Sequence, residues 1–248
     1  MNDNQSQTPG PLAGRIAVVT GASGGIGRSF AIAMAQQGAV VCALGRNAES
    51  LAKTVAAAQE HSQAFGFQGD LTVEEDLNPL LQYLQQAGRL DILVHCAGLI
   101  RQDAMEDANV EDFDLQFFTN VRAPYRLTQR VLPFLVAARG QVVFINSSAG
   151  LAAKRQEIGQ YAATKHALKA VADSFREEVN SKGVRVLSVF LGRTATPMQE
   201  AIFRTEGRSY HPEMLVQPED VASFVLHALQ LPRTAEVTDI NIRPMLKP

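Results

Sequence analysis

A phenol and an ammonium stand four residues apart at Tyr161 and Lys165, in the run YAATK. On a helix that spacing sets both groups on one face, one turn apart. A tyrosine with an ordinary pKa of about 10 is a poor base at neutral pH, but a fixed cation beside it favours the phenolate and tunes it for general acid–base work. A second run with chemical potential, Gly21-Ala22-Ser23-Gly24-Gly25-Ile26-Gly27, follows directly on RIAVVT at 15–20. Glycines between a strand and a helix let backbone N–H groups reach a phosphate with no Cβ in the way, at the positive end of a helix dipole. In this reading Gly21 forms the tight turn, Gly25 admits the phosphates, and Gly27 lets helix and strand pack closely.

These groups need elements to hold them. Short β-branched runs at 15–20, 40–44, 63–68, 91–96, 141–147, 184–191 and 239–243 read as seven strands. Between them the apolar period predicts helices over 26–37, 48–59, 73–87, 111–138, 160–180 and 218–229, several stopped by Gly38, Gly88, Gly140 or Gly183. Strands apolar on successive residues belong in a sheet buried on both faces, and helical crossovers make such a sheet parallel. The expected fold is therefore α/β, a single-domain, doubly wound parallel sheet of Rossmann type, over residues 14–248 behind a flexible arm at 1–13. Residues 193–217 show no clear period and read as a lid or substrate-binding loop.

A glycine turn after the first strand of such a sheet is a dinucleotide site. Asp70, at the end of the third strand, could accept from an adenine amino group, and Ala97-Gly98, ending the fourth, would line the same crevice. At the end of the second strand, where an acid would bind a ribose 2′-hydroxyl, the chain has Leu44-Gly45-Arg46-Asn47. A guanidinium in place of an acid favours NADP(H), with NAD(H) still open.

The composition narrows the partners. A formal charge of −2 with no long basic run gives no field for a polyanion, so nucleic acid is not expected. No run approaches the ~20 apolar residues of a membrane span. The polar beginning MNDNQSQTPGPLAG lacks a basic, apolar leader, and Cys42 and Cys96 sit inside apolar runs as free thiols, so a cytoplasmic setting is expected. The five histidines show no paired ligand spacing, and no metal is expected.

Together the sequence resembles the short-chain dehydrogenase/reductase family over almost its whole length. The resemblance rests on Thr20-Gly21-x-x-x-Gly25-x-Gly27, Asp70, Ala97-Gly98, Asn120, Ser147, Tyr161-x-x-x-Lys165 and Gly192 through Thr196-Pro197. It implies an oxidoreductase that moves a hydride between nicotinamide and a carbonyl/alcohol pair. Tyr161 would exchange the proton, Ser147 orient the substrate oxygen, Lys165 lower the tyrosine pKa and hold the nicotinamide ribose, and Asn120 hold a relay water. Ser23, Ile26, Leu71, Gly192, Thr194 and Thr196 would join the cofactor site. Counting back from Tyr161 favours Ser148 as the serine, whereas the frame of Gly140 and Gly150 favours Ser147, which is taken. Two departures stand out: His95-Cys96 where the family has two asparagines, implying looser adenosine contacts, and Leu191 where it has proline, implying a freer turn.

The substrate is expected to be a small, largely apolar carbonyl compound, walled by Leu99, Ile100, Leu151, Gln156, Leu191 and, from the lid, Met198, Phe203 and Tyr210. The long helices resemble those that pair subunits in the family, implying a homodimer or homotetramer. Two other readings stay open at this level: a non-catalytic NADP(H) sensor, and a non-redox reaction on the same scaffold.

Overall fold

In the computed structural model, which describes residues 10–246, seven strands lie in the order β3-β2-β1-β4-β5-β6-β7. They are β1 (Ile16–Thr20), β2 (Val40–Gly45), β3 (Ala64–Gln68), β4 (Ile92–His95), β5 (Gln141–Ser147), β6 (Arg185–Leu191) and β7 (Asp239–Ile242), all paired parallel. The central strands bury every residue or nearly so, which is why they read as unbroken apolar runs. Residues of one parity face α1 (Gly25–Gln36), α2 (Ala48–Gln59) and α8 (Pro218–Leu229), where Val19, Phe30, Met34, Val94 and Val225 pack. The other parity faces α3 (Asn78–Ala87), α5 (Ala123–Ala138) and α6 (Gly159–Val179), with Val18, Leu80, Leu127, Phe144 and Leu168. β3 and β7 are the two edges, and Phe65 of β3 is exposed.

Three elements differ from the sequence expectation. The helix expected over 111–138 is α4 (Val110–Phe117), a wide π-turn at Phe118–Arg122, and then α5. The aperiodic stretch at 193–217 contains a further helix, α7 (Pro197–Thr205), whose first turn is capped by the Thr196 hydroxyl accepting from the Gln199 N–H at 3.2 Å. At the end of α5 the left-handed residue is Arg139 (φ 49°), not Gly140; a Cβ at Gly140 would lie 2.7 Å from the Leu90 carbonyl oxygen, so glycine is needed there for space.

Most of the expected N-terminal arm, residues 1–9, lies outside the described residues. Its remainder is packed rather than loose: Leu12 is buried and its N–H donates to the Gln37 carbonyl at 3.0 Å. Among the described residues, no helix is long and apolar enough to cross a membrane. Nor is any group of three His, Cys, Asp or Glu side chains among them placed to hold a metal.

Candidate active site

β1 and β4 are neighbours in the sheet, but the chain leaves them in opposite directions, so a crevice opens between their C-terminal ends. The Thr20 hydroxyl ties the two edges: it accepts from the Cys96 and Ala97 N–H groups at 3.1 and 3.2 Å and reaches the Val94 carbonyl at 3.4 Å. That contact braces the sheet beside the His95-Cys96 departure. His95 itself is buried, stacked on Phe144 with ring centroids 4.9 Å apart, and its Nε2 is 2.8 Å from the Thr128 hydroxyl. Burial pushes its pKa down to about 3, so the imidazole is neutral.

The glycine turn caps this crevice. Gly21 has φ +67°, and a Cβ on it would stand 2.8 Å from both N and Cα of Ala97. A Cβ on Gly27 would meet the Gly21 oxygen at 2.4 Å, in keeping with close packing of helix and strand. Gly25 (φ +51°) serves a purpose beyond the expected one: a Cβ there would press on Thr196 Cγ2 at 3.2 Å, so this glycine also seats the start of the lid. At Gly24 the backbone is extended and a Cβ would meet open space, leaving a bare stretch of main chain at the N-terminus of α1. A pyrophosphate fits that cradle.

Further along the crevice, Arg46 follows β2 with its side chain largely in solvent, 3.6 Å from Asp70. Asp70 is not wholly free for an adenine: its Oδ1 accepts from the Thr72 N–H at 2.8 Å and hydroxyl at 2.7 Å. Burial works to raise its pKa, but the Thr72 donors and the Arg46 charge outweigh it and hold the carboxyl below its ordinary range. Leu71 is buried beside it, and Ser23 Oγ approaches the Asn47 carbonyl at 3.5 Å.

At the other end, α6 presents Tyr161 and Lys165 to a cavity of about 420 Å³. Lys165 is buried; its Nζ lies 5.7 Å over the Tyr161 ring and donates to the Ile145 carbonyl at 3.2 Å. Burial lowers the Lys165 pKa to about 8, with the Cys96 thiol acting in the opposite sense. Tyr161 departs from expectation: burial raises its pKa, against a smaller lowering effect of the nearby Ser147 hydroxyl.

Ser147 ends β5, with its Oγ accepting from the Ala149 N–H at 3.1 Å, and it and the more exposed Ser148 both line the cavity with Tyr161. Asn120 lies in the π-turn, fully buried. Its amide is spent on protein: Oδ1 accepts from the Leu99 N–H at 2.9 Å, and Nδ2 donates to the Leu99 carbonyl at 2.9 Å and the Thr164 hydroxyl at 3.1 Å. Its side chain therefore braces the loop after β4, and the relay water expected on it has no free side-chain donor. Two positioning residues escaped sequence reasoning. Asn146 accepts from the Ser147 N–H at 2.8 Å and donates to the Lys165 carbonyl at 3.1 Å; Thr164 donates to the Tyr161 carbonyl at 2.8 Å. An asparagine before the serine was the available signal.

The cavity is lined by Leu99, Ile100, Leu151, Leu191 and Met198, expected as substrate wall, and by Ile26, Gly98, Gly192, Thr194 and Thr196, expected at the cofactor. Three expected wall residues do not line it. Gln156 is exposed, Phe203 is buried within the lid, and Tyr210 packs edge-on against Phe203 with centroids 5.6 Å apart. In exchange the wall includes Cys96, Lys154, Arg155, Arg193 and Gln199. The turn after β6 is not loosened by Leu191: Gly192 N–H donates to the Ile242 carbonyl at 2.8 Å, and a Cβ on Gly192 would meet Pro244 at 3.0 Å.

Comparison with known proteins places this arrangement. The family model described as short chain dehydrogenase matches residues 15–207. An oxidoreductase of Staphylococcus epidermidis is 31% identical over 93% of this chain and 97% of its own. Two solved structures superpose closely. One is an alcohol dehydrogenase of the archaeon Thermococcus sibiricus complexed with 5-hydroxy-NADP (TM-score 0.84, 25% identity, 94% of this chain and 98% of that one). The other is a short chain dehydrogenase of Shigella flexneri 2a complexed with NADP (TM-score 0.83, 32% identity, 94% and 99%). On the matched motif, the sheet order and these relatives, the chain belongs to the short-chain dehydrogenase/reductase family of oxidoreductases.

Proposed function

We propose that the protein is an NADP(H)-preferring carbonyl reductase or alcohol dehydrogenase in which Tyr161 exchanges a proton with the substrate oxygen. The observation that carries this reading is that Tyr161 and Ser147 stand on the wall of one cavity, with the Lys165 ammonium 5.7 Å over the phenol ring. The nicotinamide, when bound, supplies or accepts the hydride. The protein does the rest. Ser147 orients the substrate oxygen, Tyr161 protonates it on reduction, and Lys165 supplies the positive charge that steadies the phenolate left behind. Asn120 and Asn146 act as positioning residues through Leu99, Ser147 and the α6 backbone. A non-catalytic sensor would have no use for a buried proton donor facing a substrate-sized cavity, which weighs against that alternative.

Gly21, Gly24, Gly25 and Gly27 would hold the pyrophosphate, Asp70, Leu71, Ala97 and Gly98 the adenosine, and Lys165, Gly192, Thr194 and Thr196 the nicotinamide half. Arg46 would pair the 2′-phosphate, for which it must swing only from its long contact with Asp70. Following NADPH and NADH oxidation over a panel of ketones, aldehydes, quinones and β-ketoacyl thioesters tests the whole reading. In that assay Arg46→Asp should raise the KM for NADPH at least tenfold while changing that for NADH much less. Equal losses would remove the phosphate role.

We further assign one catalytic unit to residues 14–248, with 193–217 as its lid, working in the reducing cytoplasm, where the free thiols Cys42 and Cys96 would persist. Leu115, Phe117, Phe118 and Tyr125 are exposed along α4, the π-turn and α5. Such a stripe supports association into a homodimer or homotetramer. Light scattering after size exclusion should give a multiple of 26.9 kDa, and a monomer would overturn this assignment.

A further inference from the structure

The cavity wall holds more positive charge than an apolar substrate needs. Arg155, from the loop before α6, and Arg193, from the turn after β6, both reach the carboxylate of Glu206 at the end of α7. Arg193 does so with one nitrogen, Nη2, at 2.9 and 2.8 Å from the two oxygens. Arg208 approaches the same carboxylate at 3.4 Å. Glu206 thus serves three guanidinium groups. Lys154, beside them on the cavity wall, has no carboxylate within ion-pair distance among the described residues. The cluster carries three positive charges in excess on a chain whose net charge is negative.

Two further atoms point the same way. Arg193 Nη1 and Gln199 Nε2 are both donors, both belong to residues lining the cavity, and both are buried with no hydrogen-bond partner. An unpaired buried donor is costly, and the cost is relieved when an acceptor arrives. Stacking of Arg193 and Arg208 on Phe203, at 4.5 and 5.0 Å from the ring centroid, fixes the guanidinium planes before any ligand comes.

Resting on the reductase reading above, we propose that the natural substrate is a carbonyl compound carrying a carboxylate, bound by Lys154, Arg155 and the free edge of Arg193. A carboxylate is the anion these forks already accommodate, in the person of Glu206. Leu99, Ile100, Leu151 and Met198 then contact the carbon skeleton that joins the acid to the carbonyl at Tyr161.

The test uses two acid/ester pairs, 4-oxopentanoate and 4-acetylbenzoate with their methyl esters, titrated calorimetrically into the full-length protein saturated with oxidised NADP, so that binding is read without turnover. At least one acid should bind tenfold or more tighter than its ester, less so as salt is raised. Lys154→Gln combined with Arg155→Gln should bring the acid-to-ester ratio near one, and Arg155→Lys should keep most of it. Equal affinities, tighter esters, no binding of any of the four, or a preference that survives the double substitution overturns the proposal. NADPH oxidation with the same compounds separates the two readings. Acids that bind preferentially but are never reduced leave the anion site standing and sink the reductase, whereas esters reduced as well as acids, with equal binding, do the reverse.

Discussion

Tyr161→Phe should lower carbonyl reduction by about a thousandfold, the scale of a lost general acid, while leaving NADPH affinity nearly unchanged. The phenol stands on the cavity wall beside Ser147 and under Lys165, and removing its hydroxyl takes away little packing volume. Ser147→Ala should also depress kcat strongly, and Ser148→Ala should not, because Ser147 is the hydroxyl that acts on the Tyr161 phenol, while Ser148, on the same cavity wall, is the more exposed of the two. The reverse order for the two serines would move the catalytic role to Ser148. The pH profile follows from the same geometry. Burial raises the Tyr161 pKa, so the phenol stays protonated through the working range. Burial lowers that of Lys165 to about 8, so its charge is present below that pH and lost above it. Reduction should therefore fall as pH rises through about 8, and a flat profile to pH 10 would show that the ammonium is not needed.

Gly21→Ala should destabilise the fold by on the order of 3 kcal/mol and abolish NADPH binding. Left-handed backbone costs a residue with a side chain roughly 1 kcal/mol or more. The rest comes from the new Cβ at 2.8 Å from the Ala97 main chain, which must move away from β1 and break the Thr20 contacts. Gly24→Ala is the informative partner. Its Cβ meets open space on extended backbone, so the melting temperature should hold while NADPH binding weakens. Thermal denaturation with and without NADPH reads both; a Gly24→Ala protein that binds normally would place the phosphates elsewhere.

The five inner strands were legible because they are clamped between two layers of helices, and a strand buried on both faces has little choice but apolar residues in succession, whereas the edge strands β3 and β7 each bury a single residue. The glycine turn and the Tyr161/Lys165 pair were legible for a related reason: their spacing is set by local geometry alone. What escaped depends on contacts distant in sequence. The break between α4 and α5 is held by Asn120 bonding to Leu99, twenty-one residues back, and leaves no local trace. Lys154 and Arg155 have no period that marks them as cavity wall, and Phe203 and Tyr210 look like substrate contacts until their mutual packing is seen. The helix α7 is a different matter. Thr196-Pro197 is a cap followed by a first-turn proline, and it was there to be read.

The wide turn at Phe118–Arg122 changes the phase between two helices that would otherwise share one axis and one face. An ordinary helix rotates about 100° per residue, and one residue added within a turn rotates everything before it relative to everything after. Leu127, Val131 and Leu135 can thus remain aligned with the sheet while Gln116 and Asn120 are set against the loops above it, each holding a backbone amide, that of Arg101 and that of Leu99. The register of the sheet and the register of the site are adjusted independently at this one turn. A single deletion here would put the two registers out of step.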